Sequence, residues 1–192
     1  MNIEFIIPTW KRPNELMVIL SCLVAQKNPN WKARVMINGI TNDYFKVKEF
    51  YQDEPRINFI HMEETHNDWG NTPRNVALEN LSEEFVVMTG DDNYYVPEFV
   101  DIFLNAANEN TDCHFFYCDM VHNKCYGGYQ KIESRVAESY IDIGNFMVRS
   151  NKIGSIRLNA PSYTADYQFA ADFNTKNRQN MVKINKILYV HN

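Results

Sequence analysis

The chain has little of what several function classes require. Its 192 residues include four cysteines, seven glycines and seven prolines. Cys22, Cys113, Cys118 and Cys125 form no CxxC pair, so neither a disulfide framework nor a dithiol redox motif is encoded. The stretch from Cys113 through His114, Cys118 and His122 to Cys125 matches no common structural zinc spacing, and its first half reads as a buried aromatic strand. No repeat or low-complexity segment is present, which argues against extended disorder. No apolar run approaches the roughly 20 residues of a membrane span. Residues 1–8 lack the basic lead of a signal peptide, so a cytoplasmic protein without a transmembrane segment is the default expectation. Basic charge is also short: 19 Lys and Arg stand against 24 Asp and Glu, for a net charge of −5. That balance argues against a nucleic-acid partner.

What is present suits a globular domain with a substantial core. Hydrophobic residues make up 45% of the chain and aromatics 14%. Phe5-Ile6-Ile7 predicts a buried strand closed by Pro8. A helix follows from Pro13, with Leu16, Ile19, Leu20, Leu23 and Val24 at helical spacing and an end near Asn28-Pro29. Further strands are expected at Arg34 to Ile37, Ile57 to Ile60, Val86 to Met88 and Cys113 to Val121. The helices between them run from Asp43 to Tyr51, from Thr72 as N-cap with Pro73 first, and from Pro97. This β-α alternation implies an α/β fold with a mostly parallel central sheet and right-handed crossovers. Beyond Cys125 the alternation gives way to a hairpin arm (126–132), a strand from Ile143 to Val148, a helix capped by Ser162 or Thr164, and a last strand from Ile187 to Val190. We read 1–192 as one domain, with residues 1–121 as one half and 122–192 as an elaborated C-terminal edge.

The most informative run is Val86-Val87-Met88-Thr89-Gly90-Asp91-Asp92-Asn93. It places two adjacent carboxylates at the carboxyl end of a core strand, where open α/β sheets bind ligands. Two such charges repel by about 4 kcal/mol at about 4 Å and an effective dielectric of about 20, and a divalent cation would reverse that cost. Charge is also segregated. Glu79 to Asp119 holds ten acidic residues and no Lys or Arg, whereas Arg149 to Lys186 holds seven basic residues against Asp166 and Asp172. A cleft between such halves suits a metal bound to an anionic ligand.

Five segments in order resemble family-2 glycosyltransferases of the GT-A fold. They are Pro8-Thr9-Trp10-Lys11-Arg12-Pro13; Gly70-Asn71-Thr72-Pro73-Arg74-Asn75; Asp91-Asp92-Asn93 with Pro97 beyond; Gly144-Asn145-Phe146-Met147-Val148-Arg149 with Ala165-Asp166; and the terminal Tyr189-Val190-His191. The resemblance covers essentially the whole chain. It implies residues 1–121 as the nucleotide-sugar-binding half and 122–192 as the acceptor and catalytic half. By resemblance, Pro8, Thr9, Arg12, Asn38, Gly70, Arg74, Asn75 and Asp91 serve a nucleotide-diphosphate sugar, with a UDP-sugar as the first choice. Asp92 becomes the principal ligand of Mn²⁺ or Mg²⁺, His191 an additional one, and Asp91 a contact to metal or ribose. Gly144, Asn145 and Arg149 fall in the acceptor region. Asp166 becomes the base that takes the acceptor hydroxyl's proton during inversion.

The acceptor implied is a glycan or another hydroxyl compound, lipid-linked ones included, since the basic second half could attract a phosphate-linked acceptor or the inner face of an anionic membrane. Trp69 reads as a packing residue. The chain departs from the family pattern at Gly90, where a first carboxylate is usual, at Asn38, where relatives often carry an acidic residue, and at Ala165, where an acidic pair is usual. Gly90 and Asn38, in a chain short for this family, keep a second reading open, a catalytically silent nucleotide-sugar-binding or assembly protein on the same fold.

Overall fold

The computed structural model describes residues 1–124, 127–159, 162–178 and 180–192. Cys125 and Tyr126, the fourth cysteine and the start of the expected hairpin arm, lie outside them. The first 109 residues alternate as the sequence predicts: β1 (Ile3–Thr9), α1 (Pro13–Val24), β2 (Trp31–Ile37), α2 (Phe45–Phe50), β3 (Ile57–His61), α3 (Asn71–Leu78), β4 (Phe85–Met88), β5 (Tyr94–Tyr95) and α4 (Phe99–Glu109). β5 is an addition, a two-residue strand that period-2 patterning cannot register. The second half runs β6 (Phe115–Lys124), β7 (Gly128–Ile132), β8 (Phe146–Arg149), a 3₁₀ turn (Ser150–Lys152), α5 (Ala165–Lys176) and β9 (Met181–His191).

The nine strands among the described residues form one sheet in the order β3-β2-β1-β4-β8-β6-β9-β5, with β7 beside β6. β3, β2, β1 and β4 are mutually parallel. β8 then enters antiparallel between β4 and β6, and β9 pairs parallel to β6. β9 is 11 residues long, against the four expected from Ile187 to Val190. Its exposed Met181, Lys186 and Ile187 break the alternation that marks a half-buried strand.

The pleat sorts the core into two layers. Phe5 and Ile7 of β1 pack with α1 and α4, among Leu16, Ile19, Leu20, Phe99 and Phe103. Ile6, one position out of phase, packs with Ala77, Leu78, Phe169 and Phe173 of α3 and α5. Each fully buried Leu or Phe contributes about 1.5–3 kcal/mol, so both helix layers are fixed against the sheet. The loops at the carboxyl ends of β1, β2 and β4 are thereby held along one edge.

Helix starts differ from expectation in two places. α3 begins two residues earlier than expected, with Gly70 at the N-cap in a left-handed conformation (φ +81°). Asp68 serves as the side-chain cap, since its Oδ2 accepts the Thr72 N–H at 2.8 Å. At α5 neither Ser162 nor Thr164 caps the helix by its side chain. Thr164 holds the N-cap position without such a bond, and Ser162 Oγ instead accepts the Thr164 N–H at 3.3 Å.

Candidate functional site

A cleft of about 710 Å³ opens across the carboxyl ends of β1, β2 and β4 and faces the loop before α5. Pro8, Thr9, Arg12, Asn38, Gly70, Arg74, Asp91, Asp92, Asp166 and His191 all line it, so residues far apart in sequence converge.

One wall carries a relay of hydrogen bonds. The Arg12 backbone N–H donates to the Tyr44 hydroxyl at 3.2 Å, Tyr44 shares a 2.9 Å bond with Thr9 Oγ1, and Thr9 donates to Asp91 Oδ2 at 2.6 Å. Tyr44, buried ahead of α2, was invisible as a site residue because it reads as one more core aromatic. Burial pushes the Asp91 carboxyl up to about 6, against the pull of the Thr9 hydroxyl, and neighbouring Asp92 adds to the rise. Asp92 is less buried and meets Arg12 Nη1 at 2.5 Å, while the same nitrogen reaches Asp91 Oδ1 at 3.4 Å. A side chain at Gly90 would begin 2.9 Å from Asp92 Oδ1, so the glycine leaves Asp92 its position.

Arg74 is a buried cation. Its guanidinium donates to the carbonyls of Trp69 and Thr89, both at 2.9 Å, and its Nε has no partner. Burial lowers its basicity, opposed by the field of Asp142, Asp166 and Asp91. Gly70 is required at its place. Its φ of +81° disfavours other residues, and a Cβ there would meet the Pro8 ring at 2.7 Å.

The opposite wall centres on Asp142, which the sequence reading did not single out. Its carboxylate accepts the Tyr189 hydroxyl at 2.5 Å, the Gly144 N–H at 2.9 Å and His191 Nδ1 at 2.8 Å. Burial alone would raise this acid, but those hydrogen bonds and the histidine's charge overcome it and hold Asp142 at about 2. In return His191 is raised: burial pulls it down and Asp142 more than offsets that. The His191 ring stacks on His122 with centroids 4.3 Å apart and planes 4° apart. Asp166, at the first turn of α5, accepts the Tyr167 N–H at 2.8 Å. Its carboxyl is pushed up to about 6, first by burial and then by the like charge of Asp142.

Five expected site residues have other duties. Asn75 stands outside the cleft and clamps Leu158, donating to its carbonyl and accepting its N–H, both at 2.8 Å. Asn145 is fully buried. It donates to Cys118 O and Ser134 Oγ at 2.8 Å and accepts the Asp142 N–H at 3.1 Å, so it shapes the Asp142 turn rather than meeting an acceptor. Gly144 shares that turn, and a Cβ would enter the Tyr189 ring. Arg149 lies at the opposite end of the sheet, opposite Phe85 in register, and pairs with Glu84. Asn38 does line the cleft, but its amide donates to the His66 carbonyl at 2.7 Å and accepts the His66 N–H at 2.9 Å. Trp69 is not packing in the core; it is 62% exposed at the rim.

Among the described residues no group of three His, Cys, Asp or Glu side chains could hold a metal ion alone. The donor set still fits Mg²⁺ or Mn²⁺ in the mode that takes one or two carboxylates and completes its shell with phosphate and water oxygens. Asp92 is the available carboxylate. Asp91, largely buried and bonded by Thr9, is the weaker one.

The chain superimposes over its full length on S. aureus TarS 1-349, with a TM-score of 0.79 at 18% identity and 60% of that chain covered. It therefore has the same fold as TarS. TarS has also been solved with UDP-GlcNAc (TM-score 0.80, 17% identity, 58% of that chain). A Pyrobaculum calidifontis mannosyltransferase in complex with GDP-Man and Mn²⁺ matches at a TM-score of 0.75 and 12% identity, over 56% of its length. Curated relatives include proteins named uncharacterized glycosyltransferases. The Haemophilus influenzae protein is 20% identical over 81% of this chain, and the Rickettsia felis protein 20% identical over 57%. The chain spans 51% and 18% of those two proteins. No family model matches the chain.

Proposed function

We propose that the chain transfers a sugar, with inversion, from a nucleotide-diphosphate donor to a hydroxyl acceptor. The observation that carries this reading is that Asp166, a half-buried carboxyl raised to about 6, lines the same cleft as Asp92 and Arg12. A base near neutrality is ionised at working pH yet retains driving force for proton transfer. Asp166 takes the acceptor hydroxyl's proton as that oxygen attacks the anomeric carbon. The glycosidic electron pair leaves with the nucleoside diphosphate, whose charge faces Arg12 and Arg74. Thr9 and Asp91 hold the ribose, and Asn38 fixes the loop at His66 beside the base. Asp92, aided by His191, would hold Mn²⁺ or Mg²⁺, which supplies Lewis-acid charge to the diphosphate oxygens. Asp142 fixes His191 by occupying its Nδ1.

The solved complexes of the structural neighbours with UDP-GlcNAc and GDP-Man support a nucleotide-sugar donor, and we take UDP-sugars first. Glycan assembly from the cytoplasmic side, with a lipid-linked acceptor, suits the basic second half; no helix among the described residues is long and apolar enough to cross a membrane.

The Arg12–Asp92 ion pair favours a second reading, a nucleotide-sugar binder without turnover, because Arg12 already neutralises the principal metal ligand. Calorimetry with UDP and GDP, with and without Mn²⁺, and donor hydrolysis assays with UDP-GlcNAc and GDP-Man test both. Metal-dependent binding with turnover, both weakened in Asp92→Asn, is the expected result. Binding without turnover across a broad donor and acceptor panel selects the silent reading. No nucleotide binding at all overturns both.

A further inference from the structure

Two large aromatic side chains stand almost bare at the mouth of the cleft. Trp69 is 62% exposed and Tyr163 is 82% exposed, yet their rings meet edge to face with centroids 6.0 Å apart. Trp69 belongs to the loop before α3 and Tyr163 to the loop before α5, so the pair bridges the two walls. Such a pair in solvent gains little from burial, and packing does not explain it.

The backbone makes the point more firmly. Trp69 has φ +56°, a left-handed conformation that costs a bulky residue of this kind on the order of 1–3 kcal/mol, and Gly70 beside it has φ +81°. The surroundings hold that conformation. Buried Arg74 grips the Trp69 carbonyl at 2.9 Å, and Asp68 on its other side caps α3. The second loop is tied to the first, since Asn71 Nδ2 donates to the Ser162 carbonyl at 3.4 Å. Tyr163 in turn lies three residues before Asp166. Strain, a buried cation and a cross-loop bond therefore all serve to keep two rings outside the core and next to the carboxyl assigned as base.

We infer that Trp69 and Tyr163 form a carbohydrate subsite that seats a pyranose ring of the acceptor beside Asp166. This rests on the glycosyltransferase reading for the term acceptor. The chemistry of the rings selects a sugar over other occupants. The C–H face of a pyranose is weakly positive and meets the negative face of an indole or phenol, while its hydroxyls turn to polar neighbours. Polar groups are at hand on the cleft lining at Asn71, Ser162 and Thr164. The donor's phosphates would find their cations at half-exposed Arg12 and buried Arg74, its ribose at Thr9 and its base near Asn38.

Saturation-transfer NMR can test this with methyl glycosides of glucose, N-acetylglucosamine, galactose and mannose, and separately with UDP and GDP. The expected result is transfer to the C–H protons of at least one glycoside in the wild type. It falls at least about tenfold in Trp69→Gly and Tyr163→Ala, as the loss of about 1.4 kcal/mol of ring contact requires, and it persists in Tyr163→Phe. UDP or GDP binding stays at the wild-type level in all three variants. Trp69→Gly also keeps or raises Tm, because glycine accepts the left-handed backbone. No transfer to any glycoside, unchanged transfer in both ring-deletion variants, equal loss of nucleotide binding, or a fall in Tm for Trp69→Gly overturns the subsite. Failure of the glycosyltransferase reading looks different: glycosides bind at the rings while no nucleotide binds the wild type.

Discussion

The two walls of the cleft solve the same electrostatic problem in opposite ways. On the β1–β4 wall, Asp91 receives one short hydrogen bond from Thr9 and rises to about 6. On the β8–β9 side, Asp142 is buried to a similar degree, yet three donors hold it at about 2. Burial alone therefore does not decide which carboxylate stays charged; the number of donors aimed at it does. Asp166, with one backbone donor and Asp142's charge nearby, falls with Asp91. The cleft thus contains one permanently ionised anchor and two carboxyls that change state near neutrality, and the anchor is the one that orients a histidine.

The largest expected effect separates chemistry from scaffold. Asp166→Asn should lower sugar transfer about 10²–10⁴-fold, as removal of a positioned general base does, measured as initial rate with saturating donor. Next comes a stability contrast between the walls. Asp142→Ala leaves the Tyr189 hydroxyl and the Gly144 N–H without their acceptor and should cost about 3–5 kcal/mol in denaturant unfolding. Asp91→Asn keeps an acceptor for Thr9 and should cost less than about 1 kcal/mol. Equal costs would erase the distinction drawn between them.

A third test uses pH. Asp166 is raised to about 6 in the fold, against about 3.9 in the unfolded chain. The folded state then binds the extra proton, so its stabilising contribution is full below pH of about 4 and is lost as pH rises through about 6. The loss amounts to about 2–3 kcal/mol, and Asp166→Asn should flatten that part of the stability–pH curve and be the more stable protein at pH of about 7.5. The smallest expected effect is at Asn75. Asn75→Ala removes both bonds to Leu158 and should cost about 1–2 kcal/mol, with nucleotide affinity unchanged because the side chain does not reach the cleft.

The same division marks what could be read from the sequence. In the first half, apolar periods, Pro13 and the strand-ending Gly90 place every major element and bring Thr9, Arg12, Arg74, Asp91 and Asp92 to one edge. There the backbone ladder does the organising, and it leaves a pattern. In the second half the site is organised by side chains bonding to distant backbone: Asn145 to Cys118, Asn75 to Leu158, Tyr189 to Asp142. No spacing rule reports such bonds, so Asp142 went unnoticed and Asn75, Asn145 and Arg149 were assigned to ligands they do not face. Trp69 was misread for a related reason, since a positive φ on a non-glycine residue has no sequence signature.

The central claim is that the β1–β4 wall holds the donor while Asp166 acts on the acceptor. One calorimetric titration of UDP with Mn²⁺, run on the wild type, Asp92→Asn and Asp166→Asn, tests it most directly. The account expects Asp92→Asn to lose at least about tenfold in affinity, or about 1.4 kcal/mol, while Asp166→Asn binds as the wild type does. Equal losses in both variants, or none in either, would contradict it.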